Sequence, residues 1–275
     1  MPETIAQAAQ WLAFPMLGAV AGVLAGLLGI GGGIVLVAAL VALLPLLGVP
    51  AESVMHVALA TSLASIAVTA AASARAHGRR DSVLWPTVAW LGPGLVLGAA
   101  IGARWAVRVP GSTLALLVGA FCLLMAARMA WPGTGATPAR DVPPPRGAWL
   151  SAAGAGVGAV SAVVGIGGGS LTVPLLVARG VATVRAVGTS SACGVLIALA
   201  SAAAYGFGAP EGHPPTALPP GVVGFVHVPA AAGIGLGALV AAPWGVRLAH
   251  RLSGRALARV FAAALALVGA WLLWP

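Results

Sequence analysis

Charge is what this sequence has least of. Charged residues make up 7% of its 275 positions and lysine is absent, whereas a soluble domain carries about 25% charged residues. No water-soluble surface can be assembled from so few. Acids are scarcer still, with Glu3, Asp81, Asp141 and Glu211 in termini or loops and Glu52 near the entrance of an apolar run. That excludes the carboxylate relay of many pumps and a sodium site built on a buried charge. Cys122 and Cys193 are the two cysteines; each stands alone in an apolar run, which excludes a CxxC redox or zinc motif. The start, Met1-Pro2-Glu3, has no basic segment of the kind that opens a cleaved signal peptide.

Apolar residues are what remains. They make up 60% of the chain, and the mean hydropathy is +1.04. Runs long enough to cross a bilayer, roughly 20 residues each, recur from end to end, so the chain reads as a single membrane domain with the lipid bilayer as its solvent. The formal charge of +9 comes from 14 arginines. They sit singly or in small groups between apolar runs, so they mark topology and do not form a nucleic-acid footprint.

The chain is internally duplicated. Gly29-Ile30-Gly31-Gly32-Gly33 recurs as Gly165-Ile166-Gly167-Gly168-Gly169, Thr61-Ser62 recurs as Thr189-Ser190, and Leu97–Arg108 aligns with Leu236–Arg247. Two halves follow, 11–131 and 148–274, joined by a Pro- and Gly-rich linker at 132–147. In the first half the apolar runs fall at about 11–28, 34–48, 55–74, 83–103 and 112–131; in the second, at about 148–164, 170–178, 184–207, 221–246 and 256–274. The run after each glycine break is short. The segment 170–178, at about 1.5 Å per residue, reaches about half of a bilayer core roughly 30 Å thick.

Arginine placement decides how the halves are related, because cytoplasmic loops carry an excess of basic residues. If each broken pair is a hairpin returning to its starting side, twelve of the arginines lie inside and only Arg104 and Arg108 outside. If each pair is one interrupted span, the split is six inside against eight outside. The first arrangement is the expectation: an all-α polytopic protein of two inverted-topology repeats, each a Gly-broken helical hairpin followed by three transmembrane helices. The central linker is then cytoplasmic.

Breaks in apolar helices are tolerated only where protein buries them or where they line a cavity. Paired breaks in inverted repeats mark a substrate site near the membrane midplane, where helix N-termini face anionic groups. Gly31, Gly32 and Gly33, with Gly167, Gly168, Gly169 and the following Ser170, would let backbone N–H groups approach an anion. Glycines of this kind also serve close helix packing. A nucleotide loop is excluded because no Lys-Ser/Thr follows either run. Thr61, Ser62, Thr189 and Ser190 are hydroxyls on the helix after each hairpin and candidate anion donors, with Ser65, Thr69 and Ser191 as weaker ones; all could instead bond back to their own helices. His227, inside the run 221–246, is expected at membrane depth, where an ionisable group is functional by default. His56 reads as interfacial, and Trp85, Trp90, Trp105, Trp244, Trp271 and Trp274 read as an aromatic belt.

The paired GxGGG segments, the Thr-Ser pairs and the duplicated Gly- and Ala-rich helices resemble the TauE/SafE family of sulfite and sulfonate exporters over nearly the whole chain. Ser170-Leu171-Thr172-Val173-Pro174 continues the family's glycine segment, while Ile34-Val35-Leu36-Val37-Ala38 lacks its proline. The resemblance implies a multi-pass transporter in the bacterial inner membrane, with no cofactor and a small anion such as sulfite, a sulfonate or a related organic anion as substrate. Two other readings compete: an intramembrane serine hydrolase using Ser190 or Ser191 with His227, and a passive anion channel. In a variant lacking Cys122 and Cys193, single cysteines at Ala139 and Thr216 are expected to react with an impermeant thiol reagent from opposite sides of the membrane. Reaction from the same side would remove the inverted topology.

Overall fold

The computed structural model describes residues 2–28, 32–130, 143–208, 218–249 and 254–274, with side chains described at 12–26, 32–130, 143–208, 218–245, 247–248 and 262–274. Gly29, Ile30 and Gly31, most of the central linker and the segment 209–217 lie outside the described residues. Within them the chain forms α1 (Pro2–Leu28), α2 (Gly33–Leu43), α3 (Ala51–Gly78), α4 (Trp85–Ala106), α5 (Gly111–Ala130), α6 (Ala148–Val164), α7 (Gly169–Val177), α8 (Thr183–Phe207), α9 (Val228–Ala249) and α10 (Gly254–Leu273). Among the described residues five helices are long and apolar enough to cross a membrane: α3, α4, α5, α8 and the Val228–Gly245 part of α9. The molecule is a multi-pass α-helical membrane protein.

Proline and glycine punctuate these helices where their backbone chemistry requires. Pro45 ends α2 by drawing Leu44–Leu47 into a 3₁₀ turn, which Gly48 closes at φ 82°. Pro86 and Pro229 sit in the first turns of α4 and α9, where a missing N–H costs nothing.

One boundary departs from expectation. The run 221–246 is not one helix, because Gly221 and Gly224 adopt positive φ of 90° and 58°. The intervening residues form a two-stranded hairpin, β1 (Val222–Val223) antiparallel to β2 (Val226–His227). Helix α9 begins only after it.

The first, third, fourth and fifth helices of each half find matching neighbours in the other half. Helix α1 packs on α9 and α4 on α6 as the two most extensive pairs, while α3 packs on α8 and α5 on α10. Side-chain order gives their directions. Gly94, Gly98 and Gly102 face Ser151, Ala155 and Ala159, and Gly18 and Gly22 face Ile234 and Ala238, so both of these pairs run parallel. Ala70, Ser73 and His77 meet Gly194, Ser191 and Gly188 in reverse order, so α3 and α8 run antiparallel. Gly119 meets Leu273 while Leu123 meets Gly269, and α5 and α10 are antiparallel too.

These contacts are backbone against backbone. Small residues let apolar helices approach closely, which supplies the packing attraction that lipid cannot provide by exclusion. A Cβ on Gly98 would collide with the Ala155 carbonyl, whereas one on Gly156, on another face of α6, would meet nothing within 4 Å. Gly98→Ala is therefore expected to cost about 1–3 kcal/mol through overpacking. Gly156→Ala should gain about 0.5–1 kcal/mol through helix propensity. Thermal unfolding of the detergent-solubilised variants checks both signs.

Candidate functional site

Both glycine runs turn the chain back on itself. Gly168, at φ 75°, precedes α7, and a Cβ there would strike Ile197 and lie 3.3 Å from the Ser161 hydroxyl and 3.4 Å from Val157. Ser161 and Val157 belong to α6, the helix the chain has just left. Gly32, at φ 66°, precedes α2 in the same way, and its Cβ would lie 2.7 Å from the Ala21 carbonyl of α1. Left-handed backbone packed this closely against its neighbours is a conformation glycine alone adopts without cost.

The two turns touch each other. A Cβ on Gly33 would stand 2.5 Å from the Gly165 carbonyl and 3.0 Å from Ile166 Cα. Between them, on α3, the Ser62 hydroxyl lies 3.2 Å from the carbonyl oxygens of both Gly33 and Gly165. One proton serves two acceptors. Gly167 is covered from α8, where a Cβ on Gly194 would come within 2.9 Å of its carbonyl. Gly169 and Ser170 are buried in the first turn of α7; Gly31 lies outside the described residues.

Thr61 and Thr189 have matching structural partners. The Thr61 hydroxyl accepts the His227 amide at 2.9 Å, just ahead of α9, and the Thr189 hydroxyl accepts the Leu84 amide at 2.9 Å, just ahead of α4. Each threonine thus holds the head of a helix from the opposite half. Thr189 also donates to the Arg185 carbonyl at 2.7 Å. Ser65 and Thr69 donate back to carbonyls of α3, at 2.8 and 3.2 Å, and Ser191 meets Ser73 at 3.0 Å. Ser190 is fully buried on α8.

His227 is not at mid-span. It ends β2 one residue ahead of the α9 span, and its Nδ1 accepts the Ala230 amide at 3.1 Å, capping α9. The hydropathy run concealed this because valine-rich hairpins and helices score alike. Its ring packs on Phe14 with centroids 6.1 Å apart. The serine–histidine dyad is not assembled: the His227 backbone meets α3 at Thr61 and Ser191 meets it at Ser73, separated by about 18 Å of helix. His56 bonds the Val109 carbonyl at 2.9 Å through Nε2. The six tryptophans read as a belt are all exposed.

Sequence reasoning passed over the Ser161 and Thr172 hydroxyls. Both are fully buried, Ser170 is 8% exposed, and all three hydroxyls have no hydrogen-bond partner. An apolar interior normally penalises such groups by about 1–3 kcal/mol each. Aligning the two glycine runs would have found them, since the corresponding positions of the first half are Ala25, Ile34 and Leu36.

Membrane-crossing helices enclosing two glycine turns that meet in the protein interior define a multi-pass membrane protein with a buried polar centre. The chain matches the sulfite exporter TauE/SafE family over residues 14–272 and belongs to that family. A probable membrane transporter protein of Haemophilus influenzae is 33% identical over 225 residues, 80% of this chain and 81% of the relative. No solved structure matches. The protein is a membrane transporter.

Burial holds the His227 pKa below its ordinary value near 6.5, and a protonated ring could not accept the Ala230 amide. A histidine kept neutral by folding binds its proton more readily when unfolded, so its contribution is fully present above the unfolded pKa and is lost as pH falls below about 6.5. The midpoint of thermal unfolding is expected to decline over that range. His227→Asn, which keeps a capping acceptor, should flatten the decline; an unchanged profile would remove His227 as its source.

Proposed function

We propose that this transporter is a secondary exporter of a small sulfur-containing oxyanion, sulfite or an organosulfonate, in the bacterial inner membrane. The observation that carries the reading is the meeting of two glycine-broken helices at Ser62, beside a helix start surrounded by unpartnered donors. Helix N-termini offer amides and a partial positive charge to an anion without a fixed cation to retard its release.

The halves are inverted repeats in this reading. Antiparallel α3 with α8 and α5 with α10, together with parallel α1 with α9 and α4 with α6, fit two hairpins that enter from opposite sides. Parallel halves would align α3 with α8. Arginine placement supports the same arrangement, with the linker in the cytoplasm. Candidate substrate contacts are the glycine runs at 31–33 and 167–169 with Ser170, and Ser190 on the facing α8, while the Ser62 hydroxyl ties the two turns together. Thr61, Thr189 and His227 hold that frame.

Energy comes from the membrane potential. Glu52 and Asp81, the acids whose side chains are described, are exposed, so neither supplies a buried carboxylate for a coupling cation. A negative interior favours outward movement of each anionic charge by about 2.3 kcal/mol per 100 mV. In proteoliposomes with equal sulfite on both sides, a valinomycin-imposed potential is expected to drive net flux toward the positive side. Flux indifferent to potential but driven by a sodium gradient would overturn this mechanism. Accumulation against a gradient through counter-exchange separates a carrier from a channel.

A further inference from the structure

We infer that the two glycine turns are not equivalent: the second alone binds the anion, through Ser161, Ser170 and Thr172 with the first amides of α7, and it selects monoanions over dianions. The inference rests on the transporter reading above and narrows it to one site and one charge class.

Sequence identity across the two glycine runs hides opposite surroundings. The Ser161 hydroxyl stands beside Gly168, and Ser170 and Thr172 follow it in the first turns of α7; all three hydroxyls are without a partner and each residue is at least nine-tenths buried. Ser161 comes from α6 and reaches the position preceding α7, where it lies 3.3 Å from a Cβ placed on Gly168. The Gly168 carbonyl already accepts the amides of Leu171 and Thr172, at 3.1 and 2.8 Å. The amides of Gly169 and Ser170 have no intrahelical acceptor at that position. Two amides and three hydroxyls at the start of α7 are thus left without an acceptor.

In the first turn the same places are held by Ala25, Ile34 and Leu36, all buried. None of these three carries a side-chain donor. Gly33 instead packs against Gly165 and Ile166 of the second turn, which makes the first turn a prop for the second.

The charge class follows from what the site lacks. Helices α6 and α7 contain no charged residue, and Gly168 faces Ile197, Ser161 and Val157. Neutral donors alone must then replace the water around the ion. The Born cost of burial rises with the square of the charge, so a second charge multiplies it roughly fourfold. A sulfonate or hydrogensulfite carries one negative charge over three oxygens and suits this donor set. Sulfate and the sulfite dianion do not.

Calorimetric titration of the purified protein with methanesulfonate and with sulfate tests this, alongside proteoliposome flux. One methanesulfonate per chain is expected, with sulfate binding weaker by about tenfold or more, the consequence of even 1.4 kcal/mol of extra desolvation. Ser161→Ala and Thr172→Val should each weaken methanesulfonate binding by about tenfold, the effect of one hydrogen bond to a charged group. Both should keep or raise the unfolding midpoint, because each removes an unpartnered buried hydroxyl. Two sites per chain, or normal affinity in both variants, would overturn the assignment to the second turn while leaving transport intact. Equal affinity for sulfate would overturn the charge selection. If acetate binds in place of methanesulfonate and both variants lose it, the site stands and the sulfur-oxyanion reading falls.

Discussion

A helix that stops inside an apolar medium releases backbone groups that no solvent can take up, and every other feature of this protein accommodates that constraint. Here two helices stop, and the chain brings both stops to one place. Ser62 lies within reach of a carbonyl from each turn, and α3 and α8 close over them. The longest buried helix, α3, carries the hydroxyls that do this. A leucine at position 62 would leave the Gly165 carbonyl without the hydroxyl that now reaches it.

Bringing two turns into contact demands that the helices bearing them sit close, and this explains the abundance of glycine and alanine. The α1–α9 and α4–α6 pairs approach until main chain meets main chain. Larger side chains are displaced outward, where Leu97, Ile101, Leu236 and Val240 are exposed on the surfaces of α4 and α9. At these two helix pairs small residues face the contact and bulky apolar ones face outward, because hydrocarbon surrounds the molecule and van der Waals contact holds the pairs together.

Much of this was legible before any coordinates. Repetition of GIGGG located both turns, since a five-residue identity in two apolar surroundings reflects one local geometry formed twice, and the short run 170–178 coincides within a residue with α7. Hydropathy located the long helices but failed at 221–246, because it averages over residues and cannot register Gly221 and Gly224 at positive φ. Thr61 and Thr189 stand out in the sequence as a pair of candidate anion donors, and in the structure their hydroxyls each accept an amide of the opposite half, a relation that no local pattern encodes. Ser161 and Thr172 were passed over for the converse reason. Their significance lies in lacking a partner, which is a property of the packed interior.

The interlocking of the halves has a consequence for how the protein is made. Helix α1 finds its main neighbour in α9, which begins 200 residues after α1 ends. At roughly 5–20 residues per second, the ribosome delivers that neighbour some 10–40 seconds later. Until then α1 and the first turn must wait in the bilayer, or beside the insertion machinery, with their glycine surfaces uncovered. Biogenesis of this transporter therefore has an obligatory pause built into its chain order, during which half a molecule is present and none of it is finished.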